Sequence, residues 1–284
     1  MSDKFLSWEA AVTWLMNQPD KQDLVRDCYY DASVIDAAQR YWKSLEWQAI
    51  KLHLPVIQGT ALDLGAGRGI ASYTLAKEGW SVLAVEPDAS NLVGAGAIEY
   101  LAQIESLPIN VVKEFGEKIK CESACFDLVF ARQVLHHAHD LNQLCAEVYR
   151  VLKPGGRFIA VRDHVISAQS DLPDFFKTHP LHYLYGGENA FTETQYLTAM
   201  KAAGFEVQQV IRAFDSVINY APYNDYSLKE ALKLRLSKLP LLSLMGRLLD
   251  IECIFRLSLN LLSRVDRRPG RLYSFICKKP VNQL

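Results

Sequence analysis

Two periodicities divide this chain, and the switch between them falls near Thr60. Before it, apolar residues recur every three or four positions. Phe5, Trp8, Val12 and Leu15 make one stripe, and Val34, Ala38, Tyr41, Leu45, Ala49 and Leu52 make another. This is the spacing of helices with one buried face. The second stripe predicts one unbroken helix that stops at His53 and Pro55. Beyond Thr60 come short apolar runs, ALDLG, SVLAVE, INVVK, FDLVFA and RFIAVRD, each followed by a helical stretch. Strands alternating with helices predict an α/β fold with a mostly parallel sheet, covered by helices on both faces.

The later segments extend this plan. A helix over 140–152 buries Leu141, Leu144, Cys145, Val148 and Leu152 and stops at Lys153-Pro154-Gly155-Gly156. Another, near 193–203, starts with Thr192 as a candidate cap and ends at Gly204. FEVQQVIRAF and RLYSFICKK then supply a sixth and a seventh strand. Between them, residues 222–268 are rich in leucine and arginine and interrupted by Pro240, and they read as inserted amphipathic helices. The expected organisation is an N-terminal helical cap at 1–54, a core at 55–221, a helical insert at 222–268, and a final strand with the C-terminus at 269–284. The cap and the insert are expected to cover the strand ends together.

Composition narrows the class. Half of the 284 residues are hydrophobic, enough for a large core. No apolar run approaches the ~18 residues that span a bilayer. The N-terminus breaks its apolar positions with Glu9 and has neither a basic flank nor the h-region of a secretory signal. Cys28, Cys121, Cys125, Cys145, Cys253 and Cys277 are scattered without metal or redox spacing, so reduced thiols and a cytoplasmic location are expected. The net charge of −1 hides an asymmetry, because residues 222–284 carry 12 Lys or Arg against 5 Asp or Glu. A solvated helix face explains such a run, and so does attraction to a membrane surface or an acidic substrate; the apolar circumference of Leu239 to Leu262 would suit an apolar acceptor or a second subunit. The acidic remainder argues against a nucleic-acid partner.

The densest chemical signal is Ala61-Leu62-Asp63-Leu64-Gly65-Ala66-Gly67-Arg68-Gly69, a strand running into a glycine turn and then a helix. Glycines there let a ligand approach the backbone, and the helix start offers free amides. Glu86, followed by Pro87, closes the next strand, where a carboxylate can accept from both hydroxyls of a ribose. The G-x-G-x-G spacing differs from the nicotinamide fingerprint G-x-G-x-x-G. Asp63 beside the turn would repel a diphosphate but tolerate a sulfonium or a zwitterionic amino acid. A nicotinamide-dependent oxidoreductase is therefore the weaker alternative.

Over roughly 58–165 the chain resembles the class I, Rossmann-like, S-adenosylmethionine (SAM) dependent methyltransferases. ALDLGAGRG resembles the first motif of that family, VLAVEPD its acidic second-strand ending, FDLVFARQVLHH its fourth strand and turn, and LKPGGRFIAVRD its turn into strand five. The resemblance implies a seven-stranded Rossmann-like sheet with SAM as cofactor and S-adenosylhomocysteine as product. It implies that Gly65, Ala66 and Gly67 flank the methionine part of SAM, that Asp63 orders it directly or through water, and that Glu86 and Pro87 border the ribose. It also implies that Arg132 and Gln133 line the pocket. Where relatives often carry Asp at the adenine, this chain has Phe115, Gly116 and Glu117. Phe115 on the ring with Gly116 or Glu117 at the amine is one reading, and an exposed loop is the other.

His136, His137 and His139 lie close together, but no matching set of acidic or thiol ligands stands nearby in sequence, so no metal is expected. Methyl transfer to a hydroxyl needs a proton acceptor. The candidates are His164, read as lying directly after strand five, and His137. The segment THPLHYLYGGENAFTETQYL, with His179, His182, Tyr183 and Tyr185, reads as a loop that selects the acceptor. The expected partner is a small or medium-sized molecule, methylated on oxygen, on a monomer or homodimer. Alternatives are N- or C-methylation of an apolar or lipid-linked acceptor, or a non-catalytic SAM-binding protein. The chain has no Asn/Asp-Pro-Pro-aromatic tetrapeptide, which resembling families use on flipped bases.

Overall fold

The computed structural model describes residues 5–31, 33–238 and 245–281. Helices α1 (Trp8–Met16), α2 (Gln22–Asp27), α3 (Val34–Trp42) and α4 (Leu45–Lys51) precede the sheet. Then come β1 (Thr60–Leu64), α5 (Ile70–Lys77), β2 (Ser81–Val85), α6 (Ala95–Ile104), β3 (Ile109–Val112), β4 (Phe126–Arg132), α7 (Leu141–Val151) and β5 (Leu152–Ile166). The remainder is α8 (Leu172–Thr178), α9 (His182–Tyr185), β6 (Phe191–Thr192), α10 (Glu193–Ala202), β7 (Glu206–Ile211), α11 (Val217–Tyr220), α12 (Asp225–Ser237), α13 (Met245–Leu248), α14 (Glu252–Val265) and β8 (Arg271–Lys278).

The strands lie in the order β3-β2-β1-β4-β5-β8-β7, with the two-residue β6 pairing beside β5. The first five run parallel, and β8 runs antiparallel between β5 and β7. This is the expected mostly parallel α/β sheet, with β6 as an addition too short for any periodicity to announce. Alternate residues of each strand face opposite cores. Leu128, Phe130, Ile159 and Val161 join Ala38, Tyr41, Trp47 and Tyr73 under α3–α6. Val129, Ala131, Phe158 and Ala160 join Leu144, Val148, Tyr196 and Met200 under α7 and α10. Phe130 and Phe158 are fully buried on opposite faces, each worth about 1.5–3 kcal/mol of transfer free energy.

Four local expectations change. The helix expected across 34–52 is two, because Ser44 leaves helical geometry and its hydroxyl accepts the Trp47 N–H at 3.0 Å, capping α4. His164 lies within β5 and not after it, since that strand continues to Ile166. His182, Tyr183 and Tyr185 form the single helical turn α9, closed by Gly186 in left-handed geometry. The fourth concerns the insert. α12 and α14 pack on α11 through Tyr220, Leu228, Phe255 and Leu259, and none of their residues reaches the main cleft. Pro240 and the start of the apolar stretch at Leu239 lie outside the described residues. Thr192 caps α10 as expected, accepting the Gln195 N–H at 3.2 Å.

Candidate active site

A cleft of roughly 540 Å³ opens at the carboxyl ends of β1, β2, β4 and β5, where open α/β sheets bind ligands. Its floor is the first glycine turn. Gly65 and Gly67 take φ of 59° and 55°, left-handed values that side chains resist. The turn carries the Gly67 N–H into Glu86, whose Oε2 accepts it at 2.7 Å while Oε1 accepts the Asp88 N–H at 2.8 Å. Burial pushes the Glu86 carboxyl up to about 7, against the opposing pull of those two amides. Asp63 is fully buried and accepts the Ser72 hydroxyl at 2.5 Å. Burial and the neighbouring Glu86 push it up to about 7 as well.

Asp63, Gly65, Ala66, Gly67, Glu86 and Pro87 all border this cleft, as do Phe115, Gly116, Glu117, Arg132 and Gln133. Phe115 is an exposed ring leaning on His139 at a centroid distance of 6.2 Å. Glu117 is engaged locally, accepting the His139 N–H at 3.0 Å. The Arg132 guanidinium is turned away from the cleft floor and donates to Glu46 of α4 at 2.8 and 3.2 Å and to Gln133 at 2.9 Å. It forms wall here, with its charge already matched.

Above the floor, the N-terminal helices and the segment after α8 form the opposite wall. Trp8, Leu15, Leu24 and Tyr30 face the cleft with Leu181 and Tyr185. The Trp8 and Tyr185 rings lie 4.6 Å apart, and the Leu6 N–H donates to the Leu184 carbonyl at 2.8 Å. Of the four residues expected to select the acceptor, His179 and Tyr185 line this wall. His182 and Tyr183 do not, because the turn of α9 directs them away from the cleft. His182 stacks on Phe176 at 4.1 Å, and Tyr183 meets the edge of Trp14 at 6.0 Å.

The far end of the cleft gathers histidines. A bulge in β5 between Ala160 and Asp163, with Arg162 at φ 63°, re-aims the chain. It sends the Asp163 carboxylate under the turn after β4, where Oδ1 accepts the Val134 N–H at 3.1 Å and pairs with His136 Nδ1 at 2.9 Å. His164 Nδ1 lies 2.8 Å from the Gly270 carbonyl, and His137 Nδ1 lies 3.2 Å from the Gly187 carbonyl. A carbonyl only accepts, so each of these Nδ1 atoms carries the hydrogen and each Nε2 keeps its lone pair. Burial drives His136 well below its ordinary value and pulls His164 and His179 down to about 4. His137 is the one of these four with a substantially solvent-exposed side chain.

Glu188 belongs to the segment expected to select the acceptor, and its meeting with the histidines is what sequence reasoning missed. The acid beside the three histidines in the chain, Asp140, caps α7 by accepting the Asn142 and Gln143 N–H groups, and the fold brings Glu188 to them instead from the segment after α9. Its Oε2 lies 3.7 Å from His136 Nε2 and 4.0 Å from His137 Nε2, and its Oε1 lies 3.5 Å from His179 Nε2. The Gly186-Gly187 pair before it was a signal of a special turn, but nothing local indicated where that turn pointed. Trp8, Leu24 and Tyr30 carried no signal beyond amphipathic helix.

Comparison with known proteins fits this geometry. Residues 62–160 match the family described as a methyltransferase domain. The methyltransferase phqN of Penicillium fellutanum is 30% identical over 200 residues, 67% of this chain and 54% of that one. The mitochondrial ubiquinone biosynthesis O-methyltransferase of Rattus norvegicus is 32% identical over 96 residues, 34% of this chain and 28% of that one. The chain thus spans about half, or less, of the length of these curated relatives. Among solved structures, a geranyl diphosphate methyltransferase in complex with SAM aligns over 82% of this chain and 85% of its own, with 17% identity and a TM-score of 0.57, a likeness of fold. No helix among the described residues is long and apolar enough to cross a membrane.

Proposed function

Since residues 62–160 place this chain in the class I SAM-dependent methyltransferase family, we propose that it transfers the methyl group of SAM to an oxygen of a small, partly apolar molecule. The observation that carries this reading is the continuity of the cleft, from the Gly65–Gly67 turn and Glu86 at one end to His136, His137 and His164 at the other. In this reading Glu86 accepts from the ribose hydroxyls. The Gly65–Gly67 turn takes the methionine part, and Phe115 to Glu117 border the adenine.

The acceptor lies against Trp8, Leu24, Tyr30, Leu181 and Tyr185. Such a wall favours a ring or another apolar body, with a few polar groups fixing its orientation. The rat relative is named for O-methylation in ubiquinone biosynthesis, which supports a ring-bearing hydroxyl as the class to screen first. The in-line displacement forms the bond from oxygen to methyl carbon as the carbon–sulfur bond breaks, leaving S-adenosylhomocysteine. The hydroxyl proton must leave as this happens. We assign that proton to His137 Nε2, because His137 borders the cleft with an exposed side chain and its Nδ1 is held by the Gly187 carbonyl, which leaves Nε2 to accept.

The test is to titrate the purified chain with SAM, S-adenosylhomocysteine and NADH by calorimetry, and then to assay S-adenosylhomocysteine release with a panel of phenols, quinols and amines. Binding of the first two ligands with turnover of hydroxylated acceptors is expected. Binding of NADH alone would overturn the cofactor assignment, and turnover confined to amines, or a phenol or quinol product methylated on carbon, would overturn the choice of oxygen.

A further inference from the structure

The end of the cleft holds an electrostatic mismatch that methyl transfer alone does not explain. Glu188 is buried, and its two oxygens are treated differently. Oε1 accepts the Tyr185 hydroxyl and faces His179 Nε2, which carries the ring's hydrogen because His179 Nδ1 accepts the Leu181 N–H. Among the described residues, Oε2 has no hydrogen-bond donor. Asp163 Oδ1 already accepts the Val134 and His136 N–H groups, so His136 Nδ1 donates to it as well and His136 Nε2 keeps its lone pair. What faces Oε2 are then lone pairs: His136 Nε2 at 3.7 Å and His137 Nε2 at 4.0 Å. One ligand atom from each of His136, His164 and Glu188 lies within 4.8 Å of the other two. Acceptors that converge in a buried place without a donor repel one another, and a cation between them removes that cost.

We propose that His136, His164 and Glu188 hold one divalent transition-metal ion of the zinc or ferrous class, with an open position facing the acceptor in the cleft. Two imidazoles and one carboxylate with an open position make a known type of catalytic donor set for such ions. Both imidazoles are prepared for it. His136 Nδ1 is engaged by Asp163 at 2.9 Å and His164 Nδ1 by the Gly270 carbonyl at 2.8 Å, the outer contacts that fix the tautomer of ligating histidines and raise their basicity. Ligand bonds of about 2.1 Å would draw the three donor atoms to roughly 3.4 Å apart. Glu188, on the segment after the Gly186-Gly187 pair, is the element best able to close that distance.

The role of the ion rests on the methyl-transfer reading, whereas its binding does not. Bound at the open position, the acceptor hydroxyl becomes more acidic. Its O–H bond breaks with the proton passing to His137 Nε2. The oxygen's pair then bonds to the methyl carbon, and the carbon–sulfur pair stays on sulfur, which becomes a neutral thioether.

The experiment is calorimetric titration of the chelator-treated full chain with Zn²⁺, repeated on Glu188→Gln and His164→Ala, with SAM titrated in parallel. Cobalt(II) absorption of the wild-type chain is the second measurement, independent of any variant's folding. One Zn²⁺ per chain, weakened at least about tenfold in both variants, with visible cobalt bands and unchanged SAM affinity, is the expected result. No zinc binding, binding equal in the wild type and both variants, or a cobalt complex without visible bands would overturn the site, leaving a proton shared between Glu188 and His136 in its place. Loss of SAM binding with zinc binding intact would instead sink the cofactor assignment and leave the ion site standing.

Discussion

Glu46 of α4 grips Arg132, the last residue of β4, through both oxygens, with Nε to Oε1 at 2.8 Å and Nη2 to Oε2 at 3.2 Å. Arg162, at the β5 bulge, stands 3.7 Å from the same carboxylate. Burial works to raise the Glu46 carboxyl, but the two guanidinia outweigh it and hold the group below its usual range. This fork fastens the N-terminal helices to the strand end that forms the cleft wall. Its orientation specifies how those helices dock, although a buried pair adds little net stability over apolar residues of the same shape.

Removing one partner is a different matter. Glu46→Ala leaves two buried arginine charges without their counter-ion, and we expect a loss of about 3–5 kcal/mol in denaturant unfolding. A change of less than about 1 kcal/mol would mean that water already screens the pair.

Glu86 makes cofactor affinity depend on pH. Its carboxyl is pushed up to about 7 in the free protein, and ribose hydroxyls donate best to the ionised form. SAM affinity should therefore rise as pH increases through about 7 and level off above it, by the linkage of binding to deprotonation. Asp63 titrates in the same window, so Glu86→Gln should flatten the profile in part and not wholly. Glu86→Ala should weaken SAM binding about 10–100-fold through two lost charged hydrogen bonds. A dissociation constant that is independent of pH in the wild-type chain and unchanged in the Ala variant removes Glu86 from the ribose site.

The sheet was legible because its physics is local. A buried parallel strand must be apolar throughout, a helix must carry a stripe, and Gly65 and Gly67 mark a turn that side chains resist. Thr192 and the helix stop at Gly204 obey the same local rules. What the sequence did not show was produced by distance. Glu188 meets His136 only because the fold returns the chain over the strand ends. The bulge at Arg162 that puts Asp163 under His136 has no glycine to announce it. The split between α3 and α4 rests on a single hydroxyl, that of Ser44, inside an otherwise unbroken stripe. His182 and Tyr183 were misplaced because one helical turn reverses which of four adjacent residues face the cleft.

Gly65 tests the floor of the site. It has φ of 59°, and a Cβ added there would meet the Val134 methyl groups at 2.8 and 2.9 Å. Gly65→Ala would combine left-handed strain of about 1–2 kcal/mol with a steric overlap. The relief available is movement of Val134, which leads into the His136 turn. Reduced thermal stability together with SAM affinity at least about tenfold weaker is expected. A variant that binds SAM like the wild type would show that the turn lies outside the methionine site.

His137 decides between chemistry and architecture. Its ring borders the cleft, its Nδ1 lies 3.2 Å from the Gly187 carbonyl, and its Nε2 points toward Glu188 at 4.0 Å. Unlike His136 and His164, it is not buried in the donor cluster, so His137→Ala should fold and bind SAM as the wild type does. If its Nε2 takes the hydroxyl proton, kcat should fall about 10²–10⁴-fold with KM for the acceptor little changed. The loss should shrink for more acidic phenols, which need less help in losing the proton. A rise in KM at constant kcat would identify His137 as a binding contact, because uniform binding is then all that has been removed. Equal losses across acidic and weakly acidic acceptors would move the proton-accepting role to another group, with water in the open cleft the next to be tested.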